Sequence, residues 1–296
     1  MKKTYPLLFS VLLVISCSNN NKKKIVSSPD AKIVMAESMQ RFSNAWNQGN
    51  AAMVAKEFTN DAVRVISNPL SPIEGENAIL KSFESTFSEE SNFYKSHIET
   101  SVLETRAVSD NIFLGTGIFK ILDENDNVLE EGKWGNVFKY SNGEIKFLLE
   151  SAHRNPKVQS ETKNITVLAS SITSEELHFD KVQKSVSNYM KNVNTQNAEG
   201  LSLLFTENSI QSVSSKNGII LGRKKIRDSE IFSEGQILSA NIMGYKYLEN
   251  SIAIAYGKWL QIDQKTGAKT GGQWGNLFKI KGDKALLIME SAGVTE

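Results

Sequence analysis

Trp134-Gly135-Asn136-Val137-Phe138-Lys139, followed by Glu150-Ser151-Ala152, decides how this chain is read, because it occurs twice. Trp274-Gly275-Asn276-Leu277-Phe278-Lys279 is followed by Glu290-Ser291-Ala292, each position 140 residues after its counterpart. Outward from this stretch the match continues at a second offset. Met35, Met39, Phe42 and Trp46 have the four, three, four spacing of one helix face. Val182, Val186, Tyr189 and Val193 repeat that spacing 147 residues later. Phe58-Thr59 returns as Phe205-Thr206, Gly75 as Gly222 and Ile79 as Ile226. The offset then falls from 147 to 140, so the first copy carries seven extra residues, around Ser85 to Tyr94. A length difference confined to one loop is what duplication predicts, because loops tolerate insertion.

Within each copy, helical spacing comes first and strand patterning second. In the first copy Asp30 is an N-cap for the helix carrying Met35 to Trp46, and Asn50 caps a second, short helix. Gly75 to Phe87 reads as a third helix, with Ile79, Leu80, Phe83 and Phe87 on its buried side. Ala62 to Ser67 is a strand, and Ser96 to Val108, Ile112 to Leu122, Val128 to Tyr140 and Ile145 to His153 are four more. In the second copy Thr173 and Glu176 have capping-box spacing. Helices followed by antiparallel strands make an α+β fold. Helices laid on the concave side of a strongly curved sheet leave a cone whose open end suits a ligand. The expected divisions are 30–155 and 173–296 as the two cones, with 156–172 as linker and a short strand at Ile165 to Leu168.

The N-terminus has its own chemistry. Lys2-Lys3 precede a short apolar run, Pro6 to Ile15, and Cys17 is the single cysteine of the 296 residues. A run this short is a signal-peptide core rather than a membrane span. Val14-Ile15-Ser16-Cys17 resembles the lipobox of bacterial lipoproteins, which implies cleavage before Cys17, lipidation there, and attachment to the bacterial envelope. The outer membrane or the periplasmic face is the expected site. Residues 17–29 are polar and read as a tether. One cysteine excludes an internal disulfide and a Cys-based zinc site. A net charge of +1 gives no basic excess for nucleic acid. No cofactor or metal is implied by any motif.

Ala45-Trp46-Asn47-Gln48-Gly49-Asn50, Phe58-Thr59-Asn60-Asp61-Ala62 and Ile73-Glu74-Gly75 together resemble the NTF2-like superfamily, closest to its SnoaL-like and DUF4440 groups. Asn194 to Ala198, Phe205 to Asn208 and Leu221-Gly222-Arg223 resemble it in the second copy. The resemblance implies tandem cones that are enzymes or binding modules, and halves that pack on each other as a pseudo-dimer. The ketosteroid isomerase-like relatives pair a tyrosine on the first helix with an aspartate before a proline. Here those positions hold Phe42 and, displaced by about two residues, Asn68-Pro69 in the first copy. In the second they hold Tyr189 and, where the base would stand, Ser214-Ser215. Neither copy shows the complete set, so the expected activity is binding of a small, mainly apolar molecule without catalysis. The alternatives are an isomerase, cyclase or dehydratase active in one copy, and a protein-interaction module.

The residues proposed to line the cones are Trp46, Trp134, Asn136, Phe138 and Glu150 in the first copy. In the second they are Tyr189, Trp259, Trp274, Asn276, Phe278 and Glu290. Strand alternation places Trp, Asn and Phe on one face, with the amide as a polar handle. His97 and Glu99 share a strand face and are the catalytic candidates, as base and orienting acid, should that face point inward.

Overall fold

The computed structural model describes residues 30–69, 71–156 and 168–295. Cys17, the apolar run, the tether and most of the expected strand at 165–168 lie outside these residues. The first copy opens with α1 (Ala31–Asn47) and α2 (Ala51–Lys56). Asp30 accepts the Lys32 N–H and Asn50 accepts the Met53 N–H, so each helix begins where a cap removes an orphan donor. Then come β1 (Phe58–Ile66), β2 (Ile73–Glu74), α3 (Glu76–Thr86), β3 (His97–Ala107), β4 (Ile112–Leu122), β5 (Val128–Ser141) and β6 (Glu144–Arg154). The second copy repeats this as α4 (Phe179–Asn194), α5 (Ala198–Ser202), β7 (Phe205–Val213), β8 (Ile220–Leu221) and α6 (Arg223–Ser229). Its remaining strands are β9 (Gln236–Ala240), β10 (Gly244–Tyr247), β11 (Ile252–Asp263), β12 (Lys269–Lys281) and β13 (Lys284–Val294).

Thr173 and Glu176 do not cap α4. The helix starts at Phe179, behind His178 in the left-handed region. Glu176 is used elsewhere, its carboxylate accepting the Tyr247 N–H at 3.0 Å. Four of the seven extra residues lengthen the third helix, which has 11 residues in α3 against 7 in α6, and the rest fall in the segment that follows it.

Sheet order is β2-β1-β6-β5-β4-β3 in the first copy, and the main path of the second is β10-β11-β12-β13-β7-β8, with β9 also pairing β11. Most junctions are antiparallel, but β1 runs parallel to β6 and β7 parallel to β13. That junction sets Arg64 opposite Glu150 and Gln211 opposite Glu290. One face of each sheet meets its own helices around Met35, Phe42, Phe83 and Phe147, or around Val182, Leu201, Phe205 and Phe278. The other faces meet each other. Val65, Leu114, Val137 and Leu149 share one buried cluster with Ile210, Ile254, Leu277 and Met289.

This contact is near-symmetric. Ser151 Oγ donates to Ser291 O at 3.5 Å and Ser291 Oγ to Ser151 O at 3.1 Å. Lys133 Nζ donates to Val213 O, and at the matching position Gln273 Nε2 donates to Ile66 O. Arg106 reaches Asn208 O where Lys246 reaches Asp61. The repeated motif now has a physical reading. Trp134 and Trp274 face the hollows. Gly135 and Gly275 face the opposite sheet, where an added Cβ would sit 3.0 Å from Ser291 Cβ or 3.1 Å from Ser151 Oγ. A side chain there would hold the sheets apart. Gly117 and Gly257 serve a different need, since a Cβ would come within 1.9 Å of a carbonyl oxygen on the neighbouring strand segment.

Candidate functional site

Each cone encloses a hollow between its helices and its sheet, about 220 Å³ in the first copy and about 330 Å³ in the second. Four structurally matched positions give the two hollows different polar walls. In the first, Arg64 Nε donates to Glu150, and Arg64 Nη1 donates to Ser82 Oγ at 2.9 Å. Both ion-pair side chains are buried. The guanidinium also lies over the Phe83 ring, 3.9 Å from its centroid. Phe42 stands beside this group with no donor to offer and packs on Phe147 and Phe83.

In the second hollow Tyr189 replaces Phe42, Gln211 replaces Arg64, and Glu230 stands at the offset position of Phe83. Tyr189 Oη donates to Glu290 Oε1 at 2.6 Å, and Gln211 Nε2 donates to Glu290 Oε2 at 2.8 Å. Lys216 Nζ donates to Gln211 Oε1 at 2.8 Å and to Glu230 Oε1 at 2.6 Å. All five side chains line this one hollow. Burial pushes the Glu290 carboxyl above its ordinary value, and its donors and Lys216 only partly offset this. Burial, reinforced by the nearby carboxylates, also holds the Tyr189 phenol well above its ordinary value. The result is a sequestered acid hydrogen-bonded to a phenol, with apolar walls that include Val186, Phe232, Leu238 and Trp259.

The other expected site residues divide. Trp46 and Trp134 line the first hollow, and Trp259, Trp274 and Phe278 the second. Their indole N–H groups are already used: Trp46 on Ser96 Oγ, Trp134 on Ile118 O, Trp259 on Gly293 O and Trp274 on Lys258 O. Phe138 is packed into the core 4.5 Å from the Phe147 ring and is not part of the hollow's lining. Asn136 and Asn276 do reach the hollows, but as structural amides first. The ladders skip these positions, and the Asn136 and Asn276 carbonyls take the Ser151 and Ser291 N–H groups at 2.9 and 3.0 Å. Only their NH₂ ends remain for a ligand. His97 and Glu99 do not line either hollow: His97 pairs with the exposed Asp126 at 3.4 Å, and Glu99 is exposed. Strand alternation sends Ile98 and Thr100 inward instead.

Sequence reading missed Arg64, Gln211, Lys216 and Glu230. A signal for two of them existed, since Arg64 and Gln211 occupy one position at the 147 offset. Among the described residues no group of three or more His, Cys, Asp or Glu could hold a metal ion. No helix among them is long and apolar enough to cross a membrane.

No family model and no curated protein matches the chain. Solved structures do. A domain of unknown function with a cystatin-like fold from Nostoc punctiforme matches with TM-score 0.40 and 12% identity, over 45% of this chain and 82% of that one. An NTF-2 like protein of unknown function from Shewanella oneidensis matches with TM-score 0.36 and 9% identity, over 41% and 98%. A ketosteroid isomerase-like protein from Erwinia carotovora atroseptica matches with TM-score 0.37 and 11% identity, over 44% and 99%. With three helices on one mixed sheet in each half, the chain is a tandem of two α+β units.

Proposed function

We propose that the second hollow binds a small, mainly apolar molecule by one polar end, and that the first hollow is its structural counterpart. The observation that carries this is the Tyr189–Glu290 pair in the wall of an apolar hollow of about 330 Å³. Both Glu290 oxygens already accept, from Tyr189 and Gln211, so in this arrangement the pair meets a ligand as acceptor for a hydroxyl hydrogen, and it has a proton for a carbonyl oxygen only when the carboxyl is protonated within its raised range. Aromatic walls supply affinity. In the first hollow the glutamate is already paired with Arg64.

The test is mass spectrometry of small molecules retained by the purified full chain, comparing wild type, Tyr189→Phe and Glu290→Gln. The expected result is one retained compound, lost or strongly reduced in both variants. Empty wild-type samples under both native and mildly extracting conditions would sink this reading.

A second reading, proton-transfer catalysis in the same hollow, is favoured by the acid–phenol pair itself, which suits polarising a carbonyl. Its base would have to be Glu230, the other carboxylate lining this hollow. The ion pair between Glu230 and Lys216 opposes that role, so binding is the primary reading. The lipobox-like Val14 to Cys17 supports the further proposal of an envelope lipoprotein anchored at Cys17. Cys17→Ser should release the protein from sedimented membranes.

A further inference from the structure

Beyond the pair that meets the ligand, the second hollow holds a side chain whose role is indirect. Gln211 could present either end of its amide to Glu290, and the two ends have opposite consequences. An N–H donor supports a carboxylate, whereas a carbonyl oxygen tolerates only a protonated acid. The orientation is decided by Lys216. An ammonium has donors only, so the atom facing Lys216 Nζ at 2.8 Å must be Gln211 Oε1. That leaves Nε2 for Glu290 at 2.8 Å and for Glu230 at 3.3 Å. Glu230 anchors the ammonium from the other side at 2.6 Å.

The first copy shows that this wall can be built without such a device. Its cation, Arg64, sits on β1 directly opposite Glu150. In the second copy the cation has moved one side chain outward, to Lys216 in the turn after β7. The position matching Lys216 at the 147 offset is Pro69, which has no donor.

We infer that Lys216 is a positioning residue: by holding the Gln211 carbonyl it turns the amide N–H onto Glu290, and so sets the hydrogen-bonding state in which that acid meets a ligand. The titratable and charged groups that face Glu290 are Tyr189 from α4, Lys216 from the turn after β7 and Glu230 from the end of α6. From β12 come only the neutral Trp274 and Asn276. Burial raises the Glu290 carboxyl, and Lys216 works against that rise. Removing Lys216 frees the Gln211 amide to rotate and also takes away a nearby positive charge, and both changes favour the protonated acid.

The inference rests on the second hollow as the binding site for its consequence, but its test uses the full chain without added ligand. A failed ligand search would leave the test intact, and a failed test would leave the binding reading intact. The protonated-carboxyl infrared band of Glu290, identified by its loss in Glu290→Gln, is followed against pH. Lys216→Met should move the midpoint up by about one pH unit, on the scale of losing one nearby opposite charge. Lys216→Arg should restore it, and the thermal unfolding temperature of both should stay close to wild type. A midpoint unchanged in Lys216→Met overturns the inference. Should that variant fail to fold, Lys216→Leu takes its place. It must displace the midpoint in the same direction, and a midpoint equal to that of Lys216→Arg overturns the inference equally.

Discussion

Two hollows built on one plan hold their buried glutamates by opposite means. Glu150 has a guanidinium directly beside it, whereas Glu290 has a phenol and an amide, with the nearest ammonium one side chain away. The first arrangement uses up its own polarity. The second keeps an acid and a hydroxyl facing an enlarged cavity. The shorter α6 contributes to this, because the first copy closes its hollow with Phe83, Phe87 and Phe93 on and after the longer α3. Trp46 meets Phe87 edge-on at 5.2 Å and Phe87 stacks on Phe83. A small set of substitutions and one length change thus separate a smaller hollow with an ion-paired wall from a larger one with an acid–phenol wall.

The strongest way to break the comparison is Arg64→Ala. It strands Glu150 inside the first copy and should cost about 3–5 kcal/mol, read by chemical denaturation. If the cost is below about 1 kcal/mol, the first wall is not held by its ion pair.

Acid provides the next test, through a residue on the face between the sheets. His153 is fully enclosed, and burial lowers it to about 3. Its Nε2 meets Ser151 Oγ at 3.0 Å, and Nδ1 has no partner among the described residues. Its folded value lies below the unfolded value of 6.5, so the unfolded chain binds the extra proton. Stability contributed by the neutral ring is therefore present above pH 6.5 and is lost as pH falls toward about 3. Between pH 6.5 and 5 the loss should be about 2 kcal/mol. His153→Asn should flatten that slope; an unchanged slope would place the acid sensitivity elsewhere.

The smallest effect on stability is expected from Tyr189→Phe, which gives the second copy the first copy's ring. Glu290 loses one donor, at about 1 kcal/mol. Because the folded Glu290 value is raised, its linkage has the opposite sign to that of His153. Stability falls as pH rises from 4.5 toward the folded value, and the variant should steepen this fall. A shallower fall would show that Tyr189 does not support the carboxylate.

How much of this was legible in the sequence follows from how far each contact reaches. The helix faces at Met35 to Trp46 and Val182 to Val193, the strands, and the change of offset near Ser85 are local patterns, and local patterns survive in one dimension. Tyr189 is legible through the resemblance to the ketosteroid isomerase-like relatives, whose first-helix tyrosine it matches, while helical spacing gives only its buried face. The Arg64–Glu150 and Tyr189–Glu290 pairs span 86 and 101 residues. The first depends on a parallel strand junction and the second on α4 packing against β13, and no neighbouring residue announces either. The Thr173–Glu176 cap failed for a related reason: a distant backbone group, the Tyr247 N–H, competed for the same carboxylate. His97 and Glu99 were drawn to attention by chemistry alone, and the direction of β3 leaves both at the surface.

The encounter of His153 with Gly293 has an evolutionary consequence. These are equivalent positions, and a Cβ on Gly293 would lie 2.2 Å from His153 Cβ. Two identical first halves meeting in this geometry would bring imidazole against imidazole with no room for either. The two halves therefore fit only while these equivalent positions differ, so the first half accepts its altered sibling and has no room for a copy of itself.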